Sequence, residues 1–534
     1  MSKTKSQRPL FLAMSLVALL GAGVAYQQLR NDENQAKIKS DQTKPPLKPQ
    51  ASPLAASKPL SRGYPRSHEA SATQDIPPGA IGNERILRFK DDASYQAFLN
   101  KAKQQGLTIL GHSDILKAIR IRTSDLDHLG DIEGAESGYN YVVNIPPPPS
   151  ASAQPGASGF GANALAWLGV SADNSSWGQG VTVAVLDSGV NQHIALQGNV
   201  THIELSALAE GSSQLGHGTA VASIISGDHP LTPGVAPASD ILSIRISDES
   251  GTSNSFTLAE GIIQAVDGGA SVINISMGSY GDSSMVADAV QYAQDHGAVI
   301  VASAGNEGLD TLAFPAAYPG VIAVGAVEQG GAHLDFSNSH DQLNITAPGY
   351  EVNAAWGTEQ LTRFSGTSAS APFISGAIAA TLSENPEMSA QDAANLVTQL
   401  SNDAGYPGPD AQYGEGTLDL GRVMNHDTPG IYDAAISSQL LIPANSPANL
   451  PEIWVTIQNR GTETLINSPV SITTSSGTKN LNISSLPPGD IQTFKIPVLI
   501  PYDGASTSVS SSVGTQEADS NPANNSQSAS FSLE

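Results

Sequence analysis

Three patterns of apolar and polar positions follow one another along the chain. Between residues 83 and 145, Ile86-Leu87-Arg88-Phe89 alternates as a strand does, and residues 92–105 set Tyr95, Phe98 and Leu99 on one helical face. Residues 109–110 and 115–121 predict paired strands, 124–132 a second short helix with Ser124 as its N-cap, and 139–145 a closing strand. This is a small α+β domain. From 162 to 425, short β-branched runs at 182–186, 241–246, 271–276, 298–302 and 321–327 alternate with helical stretches at 219–225, 256–266, 284–296 and 371–382. Uninterrupted apolar strands separated by helices predict an α/β unit, its mainly parallel sheet covered on both faces. After His426 the helical period stops. Residues 454–457, 470–473, 493–496 and 509 onward read as strands between turns such as Asn459-Arg460-Gly461, predicting a β-sandwich over 430–534.

The segments between these units are polar or basic. Lys3, Lys5 and Arg8 precede an uncharged apolar run from 9 to 26, so residues 1–26 read as a signal peptide or membrane anchor and the product as extracytoplasmic, secreted or tethered. Residues 27–82, rich in Pro, Ser, Lys, Gln and Ala, read as a disordered stalk. Residues 146–161 open on four prolines and continue in Ser, Ala and Gly, an exposed linker where maturation is expected.

Composition narrows the chemistry. The chain of 534 residues has no cysteine, which removes disulfides, thiolate metal sites and a cysteine nucleophile. Its net charge of −25 is uneven: residues 151–424 carry only Arg245, Arg363 and Arg422 as basic groups. Such a surface repels nucleic acid and anionic lipid. No loop has the spacing of a metal site, so no metal ligand is assigned.

Four residues stand where chemistry is expected. Asp187 ends the apolar strand 183–186, at the edge where open α/β sheets bind ligands, although a lone Asp there also serves as a turn residue. His217 lies between Gly216 and Gly218 just before a helix. Ser368 precedes Pro372, and proline belongs near a helix start, so the Ser368 N–H falls in the first turn, where it lacks an intrahelical acceptor and the dipole favours negative charge. Asn306 follows a strand and carries an amide able to donate to an oxyanion. Each alone is also a common cap or turn residue.

Together the motifs resemble those of the subtilisin family: Val183-Ala184-Val185-Leu186-Asp187-Ser188-Gly189-Val190, Gly216-His217-Gly218-Thr219-Ala220-Val221-Ala222-Ser223, Val272-Ile273-Asn274-Ile275-Ser276-Met277-Gly278, Ser303-Ala304-Gly305-Asn306-Glu307-Gly308 and Gly366-Thr367-Ser368-Ala369-Ser370-Ala371-Pro372. The resemblance implies a subtilisin-like parallel sheet and a serine endopeptidase made as an exported precursor. Asp187, His217 and Ser368 would be its triad, and the Asn306 side chain and Ser368 N–H its oxyanion hole. It implies that a protein or peptide substrate lies extended between Ser276-Met277-Gly278 and Ser253-Asn254-Ser255. Ser303-Ala304-Gly305 would line a roomy first pocket, with no Asp or Glu placed to select Lys or Arg. Catalysis needs no cofactor; structural Ca2+ is left unassigned. Residues 83–145, in the ferredoxin-like order βαββαβ, resemble the family's propeptide, an inhibitor whose eight basic residues face an acidic unit. Residues 430–534 resemble CARDB-type modules through Trp454-Val455-Thr456-Ile457-Gln458-Asn459-Arg460-Gly461, suited to cell-surface binding. Ala369, Ser370 and Ser188 depart from the Met, Ala and Thr usual in the family. Two rival readings are a non-catalytic adhesion protein on the same scaffold and an esterase.

Overall fold

A computed structural model describes residues 76–532, apart from 127–131, 133, 150–155, 171–172, 197, 199, 445–448 and 500–505. The expected export segment and most of the expected stalk, residues 1–75, lie outside the described residues. Among the described residues no helix is long and apolar enough to cross a membrane.

The first unit comprises β1 (Ala80–Phe89), α1 (Asp92–Gln105), β2 (Ile109–Ser113), β3 (Ala118–Arg122), α2 (Thr123–Leu126) and β4 (Ala135–Asn144). Its strands pair antiparallel in the order β4-β1-β3-β2. Helix α1 starts where Asp91 accepts the Ser94 N–H at 2.8 Å and ends at Gly106 in the left-handed region. It buries Tyr95, Phe98 and Ala102 against Leu87, Phe89, Ile119 and Ile121. Three details differ from the sequence pattern. Strand β1 begins at Ala80, inside the stretch expected as stalk. Strand β3 begins at Ala118, because residues 114–117 form a turn with Lys117 at φ 48°. Helix α2 includes Ser124 rather than being capped by it, and most of the rest of that predicted helix lies outside the described residues.

The second unit is built on seven parallel strands: β5 (Thr182–Asp187), β6 (Val200–Glu204), β7 (Asp240–Arg245), β9 (Val272–Ile275), β10 (Val299–Ser303), β11 (Ile322–Val327) and β12 (Ile345–Pro348), with β8 (Thr252–Asn254) outside this sheet. Their order is β12-β11-β10-β9-β5-β7-β6. Successive side chains of a strand point to opposite faces. Val183 and Val185 of β5 therefore feed one apolar core, and Ala184 and Leu186 the other. On the first face pack α3 (His217–Ser226) and, later in the chain, the helix Thr367–Glu384; on the second pack α4 (Ser255–Asp267) and α5 (Ser284–Asp295). Strands β6 and β12 escaped the sequence pattern. β6 is an edge strand with three exposed residues, and β12 has only four residues and ends in a proline.

A hairpin of β13 (Val352–Trp356) and β14 (Gln360–Phe364) leads into α6 (Thr367–Glu384), α7 (Ala390–Gln399) and α8 (Leu420–Met424). Beyond them lie β15 (Ala434–Ile442), β16 (Glu452–Asn459), β17 (Leu465–Thr474), β18 (Gly477–Leu486), β19 (Ile491–Pro497), β20 (Thr507–Val513) and β21 (Ser526–Phe531). They form antiparallel sheets β15-β16-β19 and β18-β17-β20-β21 around one core that includes Val455, Ile457, Ile472, Ile483 and Val509.

The first unit docks on the second through backbone more than charge. Strand β4 pairs antiparallel with β8, Asn144 opposite Thr252 and Val142 opposite Asn254. Beside it, the fully buried Asn140 side chain accepts from the Phe256 N–H and Ser255 Oγ at the start of α4. Of the eight basic residues, only Arg88 makes an ion pair with the second unit among the described residues, at 2.5 Å from Asp288.

Glu260 of α4 faces the docked unit. Burial holds its carboxyl above the ordinary carboxylate range, a shift offset in part by Ser113 and His112 and reinforced by Asp114 and Asp267. A raised value means that the folded chain binds this proton more tightly than the unfolded chain, where the carboxyl titrates in the ordinary range. The stability contributed through this carboxyl is therefore fully present below the ordinary range and is lost as pH rises through the raised value. Glu260→Gln is expected to remove this dependence, so that its melting temperature exceeds the wild-type value at neutral pH and converges with it in acid. Parallel pH profiles for the two proteins would contradict the assignment.

Candidate active site

Three chain segments converge at the C-terminal edge of the parallel sheet. Asp187 is the last residue of β5 and is fully buried. Both of its carboxylate oxygens lie 2.9 Å from His217 Nδ1, and one also accepts the Ser188 N–H at 2.7 Å. A carboxylate only accepts, so Nδ1 carries the proton and Nε2 is left with a lone pair. His217 opens α3, and its first turn lies against the end of β5. A Cβ on Gly218 would come within 2.4 Å of the Gly189 carbonyl oxygen, so only glycine permits this approach. Ser188 Oγ accepts from the Gly218 N–H (3.1 Å) and donates to the Leu215 carbonyl (3.3 Å), tying strand end to helix start. Phe364, delivered by β14, meets the imidazole edge-on at 5.1 Å.

Ser368 is the second residue of α6, with Pro372 inside the helix. Proline has no N–H, so the Ser368 carbonyl loses its i+4 donor. Ser276 Oγ takes that place at 3.2 Å, and Ser368 Oγ in turn donates to the Ser276 carbonyl at 3.0 Å. Behind this reciprocal pair, Asn274 donates to Ser276 Oγ (3.0 Å) and accepts from Ser375 Oγ (2.9 Å). All four side chains are buried. The two departures beside Ser368 fit locally. Ala369 is fully buried in the core, and Ser370 Oγ donates to the Pro348 carbonyl at 3.3 Å.

Asn306 follows β10. Its Oδ1 accepts from Thr367 N–H (2.8 Å) and Thr367 Oγ1 (2.9 Å), which leaves Nδ2 to donate over Gly366. Gly366 has φ 127°, and a Cβ there would sit 2.8 Å from Nδ2. The loop is fixed from below by Asn338, which is fully buried. Its Oδ1 accepts from the Glu307 (3.2 Å) and Leu309 (2.9 Å) N–H groups. Its Nδ2 donates to the Ala304 carbonyl (3.2 Å) and the Tyr280 hydroxyl (2.8 Å).

A cavity of about 530 Å³ opens beside these groups, lined by Gly278, Ser303 and Gly305 among others. Of the other residues expected along the cleft, Ser276 is committed to Ser368, while Met277 and Ala304 turn into the apolar core. Asp282 and Glu307 also line this pocket, and the Asp282 carboxylate accepts from the Tyr318 hydroxyl. Glu307 accepts from the Tyr280 hydroxyl, whose pKa is raised by burial and by that carboxylate. Among the described residues no group of three or more His, Asp or Glu side chains could hold a metal ion.

Comparison with known proteins agrees with this geometry. The model of peptidase S8, the subtilase family, matches residues 178–416. A thermostable alkaline protease of Halalkalibacterium halodurans is 33% identical over 250 residues, 46% of this chain and 68% of the relative. Subtilisin Savinase of Lederbergia lenta is 31% identical over 245 residues, 45% of this chain and 89% of the relative. The solved structure of the epidermin leader peptide processing serine protease of Staphylococcus aureus shares the fold, with TM-score 0.55 and 20% identity over 65% of this chain and 99% of that one. The chain belongs to the subtilase family and is a subtilisin-like serine endopeptidase.

Sequence reasoning missed Asn338, Ser375 and Phe364. Each acts across a long sequence separation, with no local pattern to mark it. Asn274 stood inside a quoted motif without a role. Asn338→Leu keeps the volume and removes four hydrogen bonds beneath Asn306. It is expected to lower kcat on the order of 10- to 100-fold with a smaller change in KM. Asn338→Asp, which keeps the acceptor bonds, should fall between. Unchanged kcat in Asn338→Leu would refute this positioning role.

Proposed function

We propose that Asp187, His217 and Ser368 are a catalytic triad that cleaves peptide bonds through an acyl-enzyme. The observation that carries the reading is the imidazole of His217, held through Nδ1 by both oxygens of a fully buried carboxylate, which leaves Nε2 with its lone pair. In the first step the Ser368 hydroxyl leaves the Ser276 carbonyl and gives its proton to His217 Nε2 as Oγ attacks the substrate carbonyl. His217 then protonates the departing amine, and water repeats the sequence on the ester. Asp187 keeps the tautomer and stabilises the imidazolium. The Ser368 N–H, in the first turn of α6, and Asn306 Nδ2 stabilise the oxyanion. No cofactor enters these steps.

A substrate strand fits between Gly278 on one side and residues 251–254 on the other, its side chain at the cleavage site entering the cavity of Ser303 and Gly305. Segment 83–145 acts as the propeptide. What supports this is the βαββαβ order, the sheet order β4-β1-β3-β2, and β4 lying in that same cleft. The C-terminal pair of sheets, read as a CARDB-like β-sandwich, serves surface or substrate binding. The apolar start of the chain directs export.

Ser368→Ala is expected to abolish hydrolysis of casein, and hydrolysis that survives the change would contradict the role given to Ser368. Asn306→Leu should lower kcat by about 10²- to 10³-fold, roughly 2.7–4 kcal/mol, the range known for this donor in subtilisin, with little change in KM. Assaying casein beside a short acyl ester separates the readings. Turnover of the ester alone would favour the esterase, and of neither the adhesion protein.

A further inference from the structure

The cleft is filled by the chain itself, in a register that can be read residue by residue. Asn144 and Gly278 exchange both backbone hydrogen bonds, Asn144 N to Gly278 O at 2.9 Å and Gly278 N to Asn144 O at 3.0 Å. On the other side the Ile145 N–H donates to the Gly251 carbonyl at 2.9 Å. An antiparallel ladder repeats every second residue, so two residues further Pro146 stands opposite Ser276. The side chains agree with this register. Val143 is buried in the apolar core, Ile145 lines a second cavity with Leu215 and His217, and Pro146 lines both that cavity and the one of Ser303 and Gly305. The Ser276 carbonyl, which the next N–H of the ladder would reach, is the acceptor of Ser368 Oγ. The bond presented to the nucleophile is therefore that between Pro146 and Pro147.

We propose that Pro146-Pro147 makes residues 142–147 a built-in substrate mimic that the enzyme's own Ser368 does not cleave. The inference rests on the reading of Ser368 as nucleophile. Pro146 has no N–H to give the Ser276 carbonyl, so the ladder bond beside the presented peptide bond is missing, and that carbonyl still holds the Ser368 hydroxyl. The Pro147 nitrogen carries a ring carbon where a scissile amide carries hydrogen, which obstructs proton delivery to the leaving group. The pyrrolidine of Pro146 also underfills a cavity of about 530 Å³. Removal of the first unit then requires a cut at another bond, by another molecule or after this strand has left the cleft.

The test uses the full chain in three forms: wild type, Pro147→Ala, and Pro146→Phe with Pro147→Ala. Intact-mass and N-terminal analysis follow cleavage over time, with casein hydrolysis measured in parallel. Wild type is expected to give no fragment ending at residue 146. The double variant should cut after residue 146 at least about 100-fold faster, and adding Ser368→Ala should abolish that cut. Pro147→Ala, which leaves the paired strand and Pro146 unchanged, should cut at an intermediate rate. Self-cleavage of wild type between 146 and 147 would overturn the proposal. So would variants that hydrolyse casein through Ser368 yet leave that bond whole. Absence of Ser368-dependent casein hydrolysis in every form would instead overturn the triad reading, and this inference with it.

Discussion

The two hydrogen bonds exchanged between Ser276 and Ser368 join the parts on which the site depends. Ser276 lies just past the end of β9, in the sheet that also ends at Asp187. Ser368 starts the helix that covers one face of that sheet. Their link exists because Pro372 leaves the Ser368 carbonyl without its helical donor, and a buried carbonyl must find another. Asn274 and Ser375 extend the same network, so the position of Ser368 is set by linked hydrogen bonds rather than by a rotamer preference alone.

The Ser276 carbonyl, which accepts the Ser368 hydroxyl, is the point at which the site meets the docked strand. It faces the cleft, where an extended peptide would add to the edge formed by Gly278. In this chain the occupant is the continuation of β4. A peptide in that register without an N–H at the critical position leaves the Ser276 carbonyl to Ser368. Docking of the first unit, by backbone pairing, Asn140 and the ion pair of Arg88, thus brings Pro146 to the carbonyl that accepts the Ser368 hydroxyl.

Much of this was legible in the sequence because it is local. Uninterrupted apolar runs give the strands of a two-sided parallel sheet, and the positions of Asp187, His217, Asn306 and Ser368 follow from strand ends and helix starts. Gly216 and Gly218 around His217 announced the close approach that the structure contains. What could not be read is long-range. Asn338 supports Asn306 from 32 positions away, and Phe364 reaches His217 only because a hairpin folds back. Glu307 and Asp282 enter the pocket through loops whose course no periodicity encodes. Basic residues in the first unit suggested docking by charge, yet all but Arg88 form no ion pair across the interface among the described residues, because β4 pairs through its backbone.

The most direct measurement is covalent labelling of the protein, after residues 142–147 have been released from the cleft, with a fluorophosphonate, which reacts only with a serine activated by a neighbouring base. The adduct should map by peptide mass spectrometry to Ser368 alone, and it should vanish in His217→Ala. Label on another serine, or label on Ser368 that survives loss of His217, would contradict the assignment of Asp187, His217 and Ser368 as one catalytic unit.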